Sequence, residues 1–331
     1  MERVSEIITG PEVENLRLDI FLAKRFQYRS RSEWQKSLQD GEILVNGKKA
    51  KASRLLRAGE KIAYVPKNPL EEPPVSSDFT VLAQTDHYIA VDKPGNLPCH
   101  PSGIFFRNTL WYLLKEQEGK DLHIITRLDR ETSGVVLSAL DPETASAMTR
   151  DMMAGKIEKH YLALVEGVFK EEIFAKGFLS QDPAAKVRKK RRFTKEAFPD
   201  SETSVTLLKP IACDGTCSLV EAIPETGRLH QIRATLCSLG FPLVGDKLYG
   251  SDETRFLRFI ADELTDTDRE KMILPGQALH AFSLKWNETL FTAPVPSFWK
   301  EKFPSLFPAG NLFMPEMSIS KKTPNARREY I

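Results

Sequence analysis

The stretch ITRLDRETSGVV, residues 125–136, places one carboxylate between two arginines just ahead of an apolar run. Arg127, Asp129 and Arg130 fall within four positions, Glu131 follows, and Thr132, Ser133 and Gly134 lead into GVVLSAL at 134–140. That run is continuous, apolar and of strand length, which is how a buried strand reads. Two readings of Asp129 stand side by side. One is a turn or cap residue in a mixed-charge surface loop, the ordinary role of an aspartate ahead of a strand. The other is a carboxylate kept ionised by its flanking cations and anchored to the core for use as a nucleophile.

Outward from this stretch the chain alternates strands and helices. Asp141 and Pro142 predict a helix through about Met153, with Asp at the N-cap and Pro at the first helical position. KHYLALVEG (159–167), SETSVTLLKPIA (201–212), CSLVEAIPETG (217–227) and HAFSLKWN (280–287) read as strands, and GRLHQIRATLCSLG (227–240) as a helix ending at Gly240. Upstream, FTVLAQTDHYIAVDKPG (79–95) gives two strand-like runs around a turn. RNTLWYLLKEQEG (107–119) gives a helix with Asn108 at the N-cap and Gly119 as its stop. Strands dominate with helices interspersed, so the expected class is α+β, with a mixed, mainly antiparallel central sheet and flanking helices.

The N-terminal part has its own pattern. LDIFLAKRF puts Leu18, Phe21, Leu22 and Phe26 on one helical face, and Ser30 with Glu33 forms a capping-box signal for a second helix that stops at Gly41. EILVNGKKA contains an Asn46-Gly47 hairpin turn, and GEKIAYVP is a strand closed by Pro66. The expected organisation is a loose lead-in (1–15), a small αα-hairpin domain (16–66), a Pro-rich linker (67–77), a large domain (78–305) and a flexible tail (306–331).

Composition bounds the function. Of 331 residues, 41% are hydrophobic and 28% charged, an ordinary soluble make-up, and no apolar run approaches the ~20 residues of a membrane span. The polar, acidic N-terminus does not read as a signal peptide, and four cysteines are too few for a disulfide scaffold, so reduced thiols and a cytoplasmic setting are expected. The net charge of +2 hides segregation: residues 16–66 carry twelve Lys/Arg against five acids, and KVRKKRRFTK (186–195) has seven cations and no acid. A single basic run is often a solvated loop, but two separate basic zones favour a polyanionic partner.

Other chemistry is thinly supported. On the 228–239 helix, Leu229, Ile232, Leu236 and Leu239 share a face and Arg233 lies at its edge, where it must snorkel to water or meet a carboxylate. If it pairs, Asp129 is the candidate partner, because a guanidinium would hold that acid ionised and aimed. Cys213, Cys217, His230 and Cys237 lack the spacing of a zinc site. No nucleophile elbow, P-loop or dinucleotide fingerprint is present. A glycoside hydrolase would need a second, facing acid, for which Glu131 is the nearby candidate.

RLDRETSG at 127–134 resembles the catalytic motif of RNA pseudouridine synthases of the RluA type, and three further stretches agree in order and spacing. YIAVDKPGNLPCHPSG (88–103) is similar to the family's early motif, KHYLALVEG to its tyrosine motif, and TGRLHQIRATLCSLGFPLVGDKLYG (226–250) to its third motif. The resemblance covers about residues 79–300, and residues 16–66 separately resemble an S4 RNA-binding domain. It implies Asp129 as the catalytic aspartate, Tyr161 as the tyrosine packing on the target uracil and Arg233 as the arginine pairing with the aspartate. It implies Arg127 as an arginine holding the flipped nucleotide, and Arg228, His230 and Gln231 as substrate contacts. Arg17, Arg29, Ser30, Arg31, Lys48 and Lys49 are expected to meet RNA in the small domain, and Lys189, Lys190, Arg191 and Arg192 in the large one. The implied partner is structured RNA, most of all large-subunit ribosomal RNA, with no cofactor, metal or membrane and with a monomer as the working unit. One departure stands out: the family commonly has His where this chain has Thr126. A catalytically inactive RNA-binding or ribosome-assembly protein on the same fold is the alternative that Thr126 supports.

Overall fold

The computed structural model describes residues 5–26, 30–65 and 71–307. The chain divides into two compact units, Met1–Pro73 with Ser102–Phe106, and Pro74–Pro101 with Arg107–Ile331.

In the first unit, β1 (Ser5–Ile8) precedes two helices, α1 (Leu18–Arg25) and α2 (Arg31–Gln39), followed by β2 (Ile43–Val45), β3 (Lys48–Lys49) and β4 (Lys61–Tyr64). The four strands form a sheet in the order β1-β4-β2-β3. Leu18, Phe21, Leu22, Trp34, Leu38, Ile43, Val45, Leu56 and Ile62 bury together and hold helices to sheet. Ser30 and Glu33 complete the expected capping box. Asn46 and Gly47 both take positive φ, 52° and 74°, the geometry a two-residue hairpin turn needs. The expected loose lead-in is corrected in part: Ser5–Ile8 pairs antiparallel with β4, Ser5 opposite Tyr64. Four residues show no period of their own, and this edge strand takes its order from a partner more than fifty residues away.

The second unit contains β5 (Thr80–Gln84), β6 (Tyr88–Lys93), α3 (Leu110–Glu118), β7 (His123–Ile124), β8 (Ser133–Ala139), α4 (Pro142–Met153), β9 (Glu158–Glu166), β10 (Ile173–Gln181), β11 (Arg191–Thr194), β12 (Glu202–Cys213), β13 (Cys217–Pro224), α5 (Gln231–Ser238), α6 (Thr254–Ile260), α7 (Asp266–Met272), β14 (Leu279–Trp286), β15 (Thr289–Thr292) and α8 (Ser297–Lys302). Its sheet runs β11-β10-β12-β13-β9-β14-β8-β6-β5, with β15 against β14 and β7 against β8. Pairing is antiparallel except between β14 and β8, so the sheet is mixed and mainly antiparallel. The sheet therefore changes character where the quoted stretch enters it. Gly134 sits opposite Ala281 with φ +109°, and a Cβ there would strike the Ala281 backbone. Only glycine lets β8 come that close to β14.

Three local expectations are corrected. The helix after Arg107 is capped by Thr109, whose hydroxyl accepts from the Tyr112 amide, and not by Asn108. The helix around Arg233 begins only at Gln231, because His230 turns into the left-handed region at φ 56°. Leu229 lies outside that helix and is exposed. The last described residues are not all tail: Leu306 is fully buried with Trp299 and Phe303. Residues 308–331 lie outside the described residues. The four cysteines are free. No helix among the described residues is long and apolar enough to cross a membrane.

Candidate active site

Asp129 sits in the loop between β7 and β8, and that loop is pinned from below. Lys93, the last residue of β6, is fully buried and donates its ammonium hydrogens to the carbonyls of Pro94 (2.8 Å), Leu97 (2.9 Å) and Arg130 (3.2 Å). Burial pushes the Lys93 pKa down to about 8, opposed by nearby Cys99 and Asp129. The Leu97 amide donates to the Arg130 carbonyl, and the Leu128 amide to the Cys99 sulfur. Thr126 is buried, and its hydroxyl accepts from the Leu137 amide at 2.9 Å, tying the loop to β8.

The third stretch supplies the electrostatics. Arg233 projects from α5 and uses its guanidinium in two directions. Nε and Nη2 form a fork onto Asp246 at 2.7 and 2.9 Å, and Nη1 donates to Asp129 Oδ2 at 2.6 Å. The arginine side chain is 8% exposed and that of Asp246 0%, while Asp129 keeps 27% of its side chain open. One buried cation thus serves two carboxylates, of which only Asp129 can meet a substrate. Asp246 Oδ1 also accepts from the amides of Leu248 and Tyr249.

Burial alone would raise the Asp129 pKa, but Arg233, together with His230 and a hydrogen bond from Gln277, more than offsets it and holds the carboxyl below its ordinary value. Asp246 is depressed against the same burial by the same guanidinium and by the two amides. His230 approaches with Nε2 3.9 Å from Asp129 Oδ2 and with Nδ1 3.0 Å from the Tyr249 hydroxyl. Burial pushes the His230 pKa down to about 4, with Asp129 and Asp246 opposing and Arg233 and Lys189 adding to the fall. The imidazole is therefore neutral near pH 7 and brings no net charge there, so the Arg233 guanidinium is the leading influence that keeps Asp129 ionised, with a hydrogen bond from Gln277 beside it.

Tyr161 lies on β9, its cross-strand partners the alanines at 222 and 281. Its side chain is half-buried, packed against the core cluster that includes Ala222, Ile232 and Leu279. Burial raises its pKa, and the Asp129 charge raises it further, so the phenol stays protonated. Glu131 does not face Asp129. It is paired with Lys247 at 2.5 Å, and Lys247 also donates to the Pro275 carbonyl. The facing acid that glycoside hydrolysis requires is not supplied by Glu131.

The remaining expected residues sort themselves. Arg127 is exposed beside His100 and Cys99, whose titration it influences. Arg228 turns toward the start of β12, 3.2 Å from Glu202 and from the Thr203 carbonyl. Gln231 is corrected: it is buried, accepts from the Thr226 hydroxyl and the Arg228 amide, and donates to the Val205 carbonyl and the Thr206 hydroxyl. With its amide occupied on both sides, it shapes the turn before α5 and does not face substrate. Lys189 is exposed, Lys190 pairs with Glu253 at 2.9 Å, and Arg192 stacks on Phe198 at 4.8 Å. The Arg191 amide donates to the Tyr249 hydroxyl, so the basic run borders the site.

In the first unit, buried Asp19 holds both Arg17 (3.0 Å) and Arg31 (2.8 Å), whose side chains stay 40% and 50% exposed. Ser30 is engaged in its capping box, Lys48 and Lys49 are exposed, and Arg29 lies outside the described residues.

Sequence reasoning did not assign Asp246, Lys247, Tyr249 or Lys93. A signal for Asp246 existed: an arginine at the edge of an apolar face needs a carboxylate, and GDKLYG offers one thirteen residues on. Among the described residues, no three His, Cys, Asp or Glu side chains group as metal ligands.

Comparison with known proteins bears on the family and the fold. A family model described as RNA pseudouridylate synthase matches residues 87–238, and an S4 domain model matches residues 16–62. An uncharacterised RNA pseudouridine synthase of Aquifex aeolicus is 32% identical, over 75% of this chain and 81% of its own length. One of Helicobacter pylori is 31% identical, over 81% and 87%. The mitochondrial tRNA pseudouridine(32) synthase of Saccharomyces cerevisiae is 30% identical over 71% of this chain, which spans 50% of the yeast protein. The human RNA pseudouridylate synthase domain-containing protein 1 superposes with a TM-score of 0.52 at 22% identity, covering 68% of this chain and 86% of its own, a likeness of fold. With relatives matched over four fifths of their length, this chain belongs to the RNA pseudouridine synthase family, joined to an S4 domain.

Proposed function

We propose that the chain isomerises uridines in structured RNA, with large-subunit ribosomal RNA as its substrate and Asp129 as the catalytic carboxylate. The observation that carries this reading is the buried guanidinium of Arg233, shared between Asp246 and the more open Asp129. The reaction needs an ionised carboxylate at the sugar, either to attack or to take a proton, and both routes need the pKa kept low. The N1–C1′ bond breaks, the base turns over while held, C5 bonds to C1′, the C5 proton leaves and N1 gains one. No electrons are exchanged. Tyr161 holds the detached uracil by stacking, worth about 1–3 kcal/mol per base in comparable contacts. A uridine in a stem must first be extruded, at a few kcal/mol, and exposed Arg127 stands ready beside the loop to hold it. Lys189, Arg191, Arg192 and the exposed lysines at 48 and 49 offset that cost through phosphate contacts, which position RNA without reading its sequence.

Two alternatives are tested with it. The yeast relative's name points to transfer RNA as a second substrate class. An inactive RNA-binding protein draws support from Thr126, whose hydroxyl is spent on the β8 backbone. Release of tritium from C5-labelled uridine RNA separates enzyme from binder, and hydrolysis would free uracil instead. Mapping pseudouridine in total RNA with and without the gene names the RNA. Sites lost only from transfer RNA would overturn the ribosomal assignment, and no lost site would overturn the enzyme.

A further inference from the structure

The hydrogen on His230 can be placed from its surroundings. Tyr249 is almost fully buried, and its hydroxyl has two neighbours: the Arg191 amide at 2.9 Å and His230 Nδ1 at 3.0 Å. The amide can only donate, so the hydroxyl oxygen accepts from it. Among the described residues the phenolic hydrogen then has one acceptor in reach, His230 Nδ1. Were Nδ1 to carry the ring hydrogen, the phenolic hydrogen would be buried with nothing to accept it, an arrangement folded proteins avoid. A doubly protonated ring fails for the same reason. Nδ1 is the acceptor, and the ring hydrogen sits on Nε2.

That hydrogen has no partner of its own. Nε2 lies 3.9 Å from Asp129 Oδ2, beyond hydrogen-bond range, and the described residues give it no other acceptor. The ring is nevertheless held firmly. It meets Tyr249 edge-on, centroids 5.7 Å apart and planes at 88°. The His230 backbone is kept at φ 56°, a strained conformation that persists where the surroundings over-determine it. A rigid N–H donor therefore points into the space beside the ionised oxygen of Asp129.

We propose that His230 is a fixed hydrogen-bond donor to the substrate, its Nε2–H aimed at a carbonyl oxygen of the uracil as the base leaves the sugar. The inference rests on the uridine isomerisation proposed above. When the N1–C1′ bond breaks, its electron pair stays with the base, and negative charge spreads over N1 and the carbonyl oxygens. A preorganised donor aimed there binds the transition state more tightly than the ground state. Asp129 acts on the sugar side and His230 on the base side. Nε2 keeps its hydrogen throughout, so no proton is transferred. Tyr249 and the Arg191 amide are positioning groups that act through the ring.

The test has two arms. With the full chain labelled at its six histidines, 15N NMR reads the tautomer directly, the His230 signal being the one lost in His230→Asn, a residue that tolerates the left-handed backbone. The expected spectrum shows a protonated Nε2 and a bare Nδ1, unchanged between about pH 5 and pH 8. A protonated Nδ1, or titration in that window, overturns the proposal. In the second arm, C5-tritiated bulk RNA from cells lacking the gene is the probe. His230→Asn is expected to lower kcat roughly a hundredfold with RNA affinity unchanged, and Tyr249→Phe to give a smaller loss. An unchanged kcat, or a loss lying wholly in affinity, overturns it. If the wild type releases no tritium, or Asp129→Asn still does, the isomerisation reading fails instead, and the spectrum still reports the tautomer.

Discussion

Replacing Arg233 by methionine separates the two jobs of its guanidinium. The substitution keeps the bulk of the side chain and deletes three hydrogen bonds, two to Asp246 and one to Asp129. Asp246, with 0% exposure, is then a buried carboxylate with two amides and no cation. Breaking one side of a buried pair costs about 3–5 kcal/mol, which for a domain of this size lowers Tm by roughly 6–20 °C. Both carboxylates sit below their ordinary pKa in the wild type, so their contribution to stability is complete above about pH 4 and fades as pH falls through the lowered values. In Arg233→Met, burial without the cation raises both pKa values above the unfolded ones. The folded state then takes up protons, and the deficit shrinks on acidification from neutral pH. The double variant Arg233→Met/Asp246→Asn is the decisive one. Both amides bond to Oδ1, which an asparagine keeps, while the orphaned charge disappears. Thermal unfolding should recover most of the lost stability, but tritium release should stay at background, because Asp129 still lacks its cation. Recovery of turnover along with stability would show that Arg233 serves only the fold and would refute the assignment.

The other predictions are direct. Asp129→Asn abolishes tritium release and leaves RNA binding intact in filter or gel-shift titrations; retained turnover contradicts the catalytic role. Gly134→Ala brings a Cβ into the Ala281 backbone at φ +109°, and a loss of several kcal/mol is expected in chemical denaturation; a neutral effect would mean β8 and β14 can separate freely. Lys48→Gln/Lys49→Gln flattens the salt dependence of RNA affinity, by about 0.7 per lost phosphate contact on single-stranded RNA, while thermal unfolding is unchanged; equal slopes would remove these lysines from the RNA surface.

What was legible in the sequence was what local pattern or a long motif carries. The Ser30–Glu33 capping box, the Asn46-Gly47 turn and the Asp141-Pro142 helix start each depend on chemistry within four residues, and each stands where expected. Long apolar or alternating runs such as β8, β9 and β13 were equally readable. Elements whose order comes from distant partners were not. Strand β1 is fixed by β4. Strand β11 lies inside the basic run, where charge hid its pairing with β10, and Gly177 in β10 is needed because the Thr194 backbone passes too close for a side chain. In the site, residue types were legible and orientations were not. Gln231 sits in the motif with His230, yet one side chain is consumed by the turn and the other faces Asp129. Nothing in their spacing separates them, because the left-handed residue at 230 breaks the helical period that spacing assumes.

The same orientations bear on why such a site would isomerise and not hydrolyse. Cleaving a glycosidic bond to water needs one group to protonate the leaving atom and another to activate water on the opposite side. Glu131, the nearest second acid in sequence, is paired with Lys247, whose ammonium also donates to the Pro275 carbonyl. His230, with its pKa near 4, is a poor base at neutral pH, and its bare nitrogen is occupied by the Tyr249 hydroxyl. Lys93, beneath the loop, is sealed by three carbonyls. Asp129 is thus left as one anionic centre without a partner to direct water. A base detached there and stacked on Tyr161 stays beside its own sugar, and rebonding through C5 becomes the open path. If Lys247→Met freed Glu131 and the variant began to release uracil from RNA, this account of how water is refused would gain its sharpest support. If Lys247→Met left the products unchanged, the exclusion of water would have to come from closure of the RNA over the site.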